Sequence, residues 1–490
     1  MNPVAQFPYV YFLGIGGIGM SALARWFRAN GHQVWGYDKT RTPLTETLAQ
    51  EGILIHYDDA PEQLPAEVRT HKEQTLVVLT PAIPKNHQEW AWLRANGYDI
   101  RKRSQVLGLL TAGRRTVAVA GTHGKTTTSS MVAHLLHHAG VPAGAFLGGI
   151  SVNLGSNLLL PPSAEELATV NPQLPTEQVP IVVEADEYDR SFLTLHPDVA
   201  IVTSTDADHL DIYGDKDALV QSFRDFVGQI KPGGTLIINH TADASVAAAA
   251  PAGVRVLRYG LTAEQGPDLH ATNVRAHGHT FRFELETPGL DGAQVSGLEL
   301  PVPGFHNVEN MLAAAAAAHI VGLSWEQLPA AVSAYRGVNR RFEFVLTQGE
   351  ERAYLDDYAH HPREIEAFLR SVRALYPGRR LRVIFQPHLF TRTRDFAEGF
   401  AQSLSLADEV LLLPIYPARE LPIEGVSSEI IFERLTSPRK ALLSKEQAVQ
   451  AELYANDEYE VVATVGAGDI DQLVPELKKI LRNKWYGAEA

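Results

Sequence analysis

The 490-residue sequence contains no cysteine. That excludes a disulfide framework, a thiolate metal site and a cysteine nucleophile, and it fits a reducing cytoplasm. Nor does the chain hold an unbroken apolar run of the length that crosses a bilayer, so no membrane insertion is expected. The opening MNPVAQFPYVYFLGIGGIGM lacks a basic leader and runs from a short apolar stretch into a glycine turn. It reads as a buried strand rather than a signal peptide. Basic residues are in the minority, with 43 Lys and Arg against 57 Asp and Glu and a net charge of −14. A general nucleic-acid binder needs a basic face, so no nucleic-acid partner is expected. Local basic clusters remain open: Arg101, Lys102 and Arg103 either hold a small phosphorylated ligand or form a solvated turn.

What is present is ordinary globular material, 45% hydrophobic and 20% charged. The length suggests about three domains. To about Gly113, strands alternate with helices: Tyr9–Leu13, a turn at Gly14–Gly19, a helix to about Ala29, then strands Gln33–Tyr37 and Thr75–Leu79. This alternation predicts a parallel sheet with helices on its faces. A second start follows at Thr116, with strand Thr116–Ala120, a glycine-containing turn and a helix carrying Met131, Val132 and Leu135. The segment 161–180 is polar and proline-rich and reads as an exposed loop. Ile181–Val183 and Val199–Thr203 are strands ending at acidic residues, 268–300 predicts short antiparallel strands, and the alanine-rich Asn310–His319 a helix. Strands at Tyr354–Leu355, Arg382–Phe385, Glu409–Leu413 and Val461–Val465 make a third αβ unit. The fold class is therefore α/β in three domains, at 1–113, 114–337 and 338–490. The first and last are Rossmann-like, and the central one has a phosphate loop and a parallel sheet with a small antiparallel part.

Two glycine turns carry chemistry. Gly14, Gly16 and Gly19 stand as G-x-G-x-x-G between a strand and a helix, with Asp38 at the next strand end. Such glycines let backbone approach a diphosphate at a helix N-terminus, and the acid can bond a ribose. The motif alone does not separate a nicotinamide cofactor from a nucleotide sugar. The second turn, Gly121-Thr122-His123-Gly124-Lys125-Thr126-Thr127, departs from a strict Walker A because position 119 is Val119. Its physics is the same: backbone N–H groups wrap a phosphate, Lys125 supplies a point charge, and a neighbouring hydroxyl can ligate Mg²⁺. Acidic clusters at Glu184–Glu187 and Asp206–His209 follow apolar strands. Strand ends of a parallel sheet converge on the ligand crevice, and hard oxygens with an imidazole suit Mg²⁺ on ATP phosphates. Glu184, nearer its strand end, is the better ligand candidate than Glu187.

The blocks GTHGKTTT, EADEYD, DADHLDIYG, GFHNVENMLAA, NRRFE, DDYAHHP, FQPHLFTRT and GAGDI, in this order, resemble the Mur ligase family over essentially the whole chain. GIGGIGMS is similar to its alanine-adding members. The resemblance implies an ATP-dependent ligase joining L-alanine to the lactyl carboxylate of UDP-N-acetylmuramate through an acyl phosphate, in the cytoplasm, as a monomer or weak homodimer. It implies that Gly14, Gly16, Gly17, Ile18 and Gly19 cradle the UDP diphosphate and that Lys125 and Thr126 hold ATP phosphates and Mg²⁺. Glu184 and His209 would bind a second Mg²⁺. His306, Asn307 and Asn310 would lie on the adenine side, Arg341 (or Arg340) would reach the phosphates, and Asp357 would sit near the ribose. Tyr358, His360, His388 and Arg392 would form the alanine pocket, with Arg392 on the carboxylate and His360 as candidate base. The chain departs from many members at Leu389, where they carry Arg. Arg224 stands near the position of a carbamylated lysine of sister ligases, so no carbamate is expected; Lys216 is closer in sequence. Taken singly, the third-domain histidines and arginines read as capping or solvated residues. Other readings are a tripeptide-adding recycling ligase of the same family, a nicotinamide dehydrogenase and a nucleotide-switched binding protein.

Overall fold

A computed structural model describes residues 4–208, 210–264, 266–418, 420–454 and 459–487. Three sheets follow one another along the chain. The first is wholly parallel, in the order Leu54–His56, Gln33–Tyr37, Tyr9–Leu13, Thr75–Leu79, Asp99–Lys102. Its central strand YVYFL is apolar on both faces because helices cover both. The third runs Glu343–Gln348, Arg352–Asp357, Val461–Val465, Leu381–Phe385, Glu409–Leu412, Arg439–Leu442, parallel except for its first strand.

The middle sheet has ten strands. At its heart Thr116–Ala120 lies between Val199–Val202 and Ile181–Glu184, all parallel, with Ala120 opposite Val202 and Val119 opposite Glu184. This register brings three strand ends together: the glycine turn from Gly121, the Glu184 cluster and the Asp206 cluster. The antiparallel part predicted over 268–300 is present as Leu269–His277, Thr280–Glu286 and Gln294–Leu300. The alanine run sits in a longer helix, Phe305–Ile320, with Ala313–Ala318 buried against the helix Lys125–His138. Small side chains let the two backbones approach, so the run serves packing.

The exposed loop expected over 161–180 is instead interrupted by a short helix, Ala164–Val170, and a 3₁₀ turn, Thr176–Gln178. Ser163 Oγ accepts from Glu166 N at 3.2 Å, while Ser163 N donates to Glu166 at 2.7 Å. That reciprocal cap is the S-x-x-E signature, which the prolines around it masked.

The first and third domains each hold an apolar cluster of their own, around Leu13 and Leu93 and around Tyr354 and Leu477, and two further clusters cross domain boundaries. One apolar cluster joins the first and middle domains through Val10, Phe27, Val183 and Phe223. Another joins the middle and third through Met131, Leu312, Phe368 and Phe385.

Candidate active site

The phosphate loop has little freedom. Gly121 lies at φ +135°, and a Cβ there would collide with Thr203 Oγ1. His123 N donates to Ser204 Oγ at 2.9 Å and Thr122 N to the Ser204 carbonyl at 3.2 Å, which moulds the turn onto the neighbouring strand end. The helix Lys125–His138 then begins without a side-chain cap on Gly124. Its first amides have no intrahelical acceptor, so they form an anion site.

Lys125 Nζ donates to Gly121 O at 2.6 Å and pairs with Glu187 at 2.7 Å. Burial disfavours its charge, but Glu187, Asp186 and Glu184 outweigh burial and raise its pKa. The ammonium is therefore present and already oriented. Glu187, weighed in the sequence only as a lesser metal ligand, is its fully buried counter-ion. Burial pushes the Glu184 carboxyl up, against the attraction of Lys125 and a bond from Thr126. Glu184 Oε2 is buried with no hydrogen-bond partner. An orphaned carboxylate oxygen beside the Thr126 hydroxyl fits a hard cation. His209 lies outside the described residues; among the described residues no group of three His, Asp or Glu forms a ready-made metal cluster.

Two cavities flank this centre. One, of about 270 Å³, runs from Gly17, Ile18 and Gly19 past Lys102 and Arg103 to Glu184. Arg103 lies 3.4 Å from Asp186 and would be struck by a Cβ at Gly19. Of the basic run, then, Lys102 and Arg103 face the cavity, while Arg101 pairs with Asp99 at 2.7 Å. Gly14 lies at φ +85°. Asp38 Oδ2 accepts from Gly16 N at 2.8 Å and Oδ1 from Thr40 N at 3.1 Å, so Asp38 braces the turn it follows.

The second cavity, of about 370 Å³, opens on the other side of the loop between the middle and third domains. Gly124, Thr127, His306, Asn307, Asn310 and Arg341 line it, with Asp357 behind. Asn307 Nδ2 donates to Pro303 O at 2.8 Å, and burial drives the His306 pKa to about 4, so its ring is neutral. Asp357 accepts from Phe342 N at 2.7 Å and Ala359 N at 2.8 Å; burial still pushes its carboxyl to about 6. The two adjacent arginines divide. Arg340 turns inward to Asp356 at 3.0 Å and Gly466 O at 2.7 Å, whereas Arg341 faces the cavity. The Tyr358 ring lies under both guanidinium groups, at 5.2 and 5.1 Å.

The expected amino-acid residues form one group. Tyr358 and His360 rings are 5.4 Å apart, and His360 and His388 rings 6.0 Å. Burial drives His360 to about 3, outweighing the pull of Glu364. Its imidazole is neutral and a weak proton acceptor, which counts against the base role expected of it. Arg392, on the helix Phe390–Leu404, is buried and pairs with Asp208 of the middle domain at 2.8 Å. Leu389, before that helix, holds φ +69° and donates its N–H to Tyr416 O at 3.0 Å. Arg224 and Lys216 are both exposed, so neither offers a carbamate position in the site. Gly466 serves a turn, at φ +145° against the Gln386 carbonyl. Sequence reasoning missed Ser204 and Glu364. A serine after a strand has no distinguishing pattern, and Glu364 looked like any acid in a helix first turn.

A phosphate loop between a cavity that carries the first glycine turn with Lys102 and Arg103 and an arginine-lined one, each shared with a flanking α/β domain, defines a three-domain nucleotide-dependent α/β enzyme. The chain belongs to the Mur ligase family: the family's catalytic-domain model matches 9–115, the Mur ligase middle domain 119–318, and the Mur ligase glutamate ligase domain 340–468. It is 44% identical over 476 residues to the UDP-N-acetylmuramate–L-alanine ligase of Cytophaga hutchinsonii, covering 97% of each chain. The crystal structure of the UDP-N-acetylmuramate–alanine ligase of Thermotoga maritima superposes with a TM-score of 0.77 at 26% identity, covering 97% of this chain and 99% of that one. A murein peptide ligase of Psychrobacter arcticus gives 0.68 at 25% identity, covering 98% and 99%.

Proposed function

We infer that this chain joins L-alanine to the lactyl carboxylate of UDP-N-acetylmuramate with consumption of ATP, a ligation of peptidoglycan precursor synthesis. The observation that carries the reading is the near end-to-end match to alanine-adding ligases. One cavity reaches Glu184, and the other reaches Gly124 and Thr127 beside Lys125 on the phosphate loop, which supports it. The sugar nucleotide would lie along Gly14–Gly19, Lys102 and Arg103, with its carboxylate toward Glu184. ATP would lie over the phosphate loop, with its base toward His306, Asn307 and Asn310 and its ribose toward Asp357. The working units would be 1–113, 114–337 and 338–490. Among the described residues no helix is long and apolar enough to cross a membrane. We place the enzyme in the cytoplasm, where ATP and the sugar nucleotide are made.

A carboxylate does not acylate an amine at neutral pH, because oxide is a poor leaving group. The lactyl carboxylate attacks the γ-phosphorus; the bond to the β–γ bridging oxygen breaks, ADP leaves, and an acyl phosphate forms. The neutral α-amine of alanine then adds to the acyl carbon, and inorganic phosphate departs with the former carboxylate oxygen and takes up the proton that the nitrogen sheds. Lys125 and Arg341 offset charge on the transferring group. Arg392 would hold the alanine carboxylate, and His360, being neutral, would position the amine rather than take its proton. Thr126 and Glu184 would hold Mg²⁺, with His209 completing the set, and the ion would supply further charge neutralisation on the phosphates.

Phosphate release measured with UDP-N-acetylmuramate, ATP and each amino acid in turn tests the assignment. Alanine is expected to give the highest kcat/KM. Higher turnover with an L-alanyl-γ-D-glutamyl tripeptide would move the chain to the recycling branch.

A further inference from the structure

Three parts of the site converge on a carboxylate that the reaction above does not use. Glu364 sits in the first turn of the helix Pro362–Leu375 of the third domain, in the wall of the nucleotide cavity, with its side chain 13% exposed. Across the domain gap its Oε1 lies 3.2 Å from His123 Nδ1 on the phosphate loop. On its own side Oε2 accepts the His360 backbone N–H at 3.0 Å, and Oε1 stands 3.9 Å from Arg341 Nη1. The His123 ring is also packed against His361 at 4.6 Å, the residue between His360 and the helix. Burial opposes ionisation of Glu364, but the hydrogen bond with His123 and the nearby Arg341 guanidinium outweigh it and hold the group well below the usual carboxylate range. It is an anion at neutral pH.

An anion in the wall of a cavity meant for phosphates repels the ligand by simple Coulomb reasoning. Its placement makes sense if its partners, not the nucleotide, are its concern. Those partners belong to different ligands: His123 to the ATP loop, Arg341 to the transferring phosphate, and the backbone of His360 to the amino-acid pocket. The Glu364 and His361 contacts to His123 cross from the third domain to the second, so both exist only while the domains are closed.

We propose that Glu364 is a positioning residue that couples ATP to alanine, by tying the amino-acid loop 358–361 and Arg341 to the phosphate-loop His123 in one closed arrangement. A ligand that stabilises either end then stabilises the other. By linkage the effect is reciprocal: alanine tightens ATP by the factor by which ATP tightens alanine. The proposal rests on the function inferred above.

The test is the dissociation constant of a non-hydrolysable ATP analogue, measured by calorimetry on the full chain with Mg²⁺ and UDP-N-acetylmuramate, with and without saturating L-alanine. We expect alanine to tighten the analogue about tenfold in the native chain. In Glu364→Ala the ratio should fall to about one while the analogue still binds. Glu364→Gln, nearly isosteric and able to accept the His360 N–H but not to pair as an anion, should lie between; it carries the test alone if the alanine variant does not fold. A merely structural Glu364 would weaken both measurements alike and leave the ratio intact, and that outcome overturns the coupling. A native chain that binds the analogue with no alanine effect, while phosphate release shows alanine to be its substrate, overturns the coupling and only that. A native chain that binds no analogue at all overturns the ATP assignment, and the coupling with it.

Discussion

Lys125 is held in place by a carboxylate: its Nζ is 2.7 Å from Glu187, whose side chain is fully buried. Removing it has two effects that separate experimentally. Lys125→Ala should lower ADP formation by at least about a hundredfold, since one donor to the transferring group is lost. It should also destabilise the fold by about 3–5 kcal/mol, because the buried Glu187 loses its lysine partner. Adding Glu187→Gln should restore most of the melting temperature and none of the activity; recovered turnover would deny Lys125 its role. A second titratable group lies away from the chemistry. Glu89 in the first domain is buried and accepts from Tyr11 Oη at 2.6 Å and Ala60 N at 3.3 Å. Burial outweighs these bonds and lifts its carboxyl from the ordinary 4.5 to about 7. An acid raised in the folded state binds more protons folded than unfolded, so its contribution to stability falls as pH rises from about 4.5 to about 7. Glu89→Gln should remove that fall, narrowing the gap between melts at pH 5 and pH 8. An unchanged pH profile would mean that Glu89 ionises normally.

At the scale of elements, the glycine turn before Lys125 depends on its neighbours as much as on its own sequence. A Cβ at Gly121 would strike Thr203 Oγ1 and come within 2.9 Å of the Ser204 backbone nitrogen, at φ +135°. At Gly113 the φ is +72° but nothing lies within 4 Å. Gly113→Ala should therefore cost about 1 kcal/mol from backbone strain alone. Gly121→Ala should cost clearly more and weaken ATP-analogue binding as well; equal losses in thermal melts would contradict the packing of the loop on the strand end. The same contrast shows what the sequence could express. The strand–turn–helix at 116–138 was legible because hydrophobic period, glycine placement and Lys125 agree locally. So were the acidic strand ends, since parallel strands deliver their carboxyl ends to one edge. The capped helix at Ala164–Val170 was not, because the prolines spoke louder than a four-residue cap. Nor was the division of labour between Arg340 and Arg341, adjacent in sequence and sent opposite ways by Asp356 and the cavity. Glu364 was illegible for the reason that makes it interesting: its partner across the gap, His123, lies 241 residues away and on another domain.

For the molecule as a whole, the shared apolar clusters bind neighbouring domains, while polar contacts dress the gap between the middle and third. Arg392–Asp208 at 2.8 Å and His123–Glu364 at 3.2 Å span it. Such bridges suit a domain that closes on its ligands, excludes water from an acyl phosphate, and reopens. Everything in this arrangement depends on phosphoryl transfer to the sugar's own carboxylate at the phosphate loop. UDP-N-acetylmuramate labelled with ¹⁸O in both lactyl carboxylate oxygens, turned over with ATP, Mg²⁺ and L-alanine, tests that transfer directly by mass spectrometry of the phosphate released. One ¹⁸O should appear in each inorganic phosphate formed; phosphate free of label, with amide product still forming, would contradict the acyl phosphate and the role of the loop that is meant to make it.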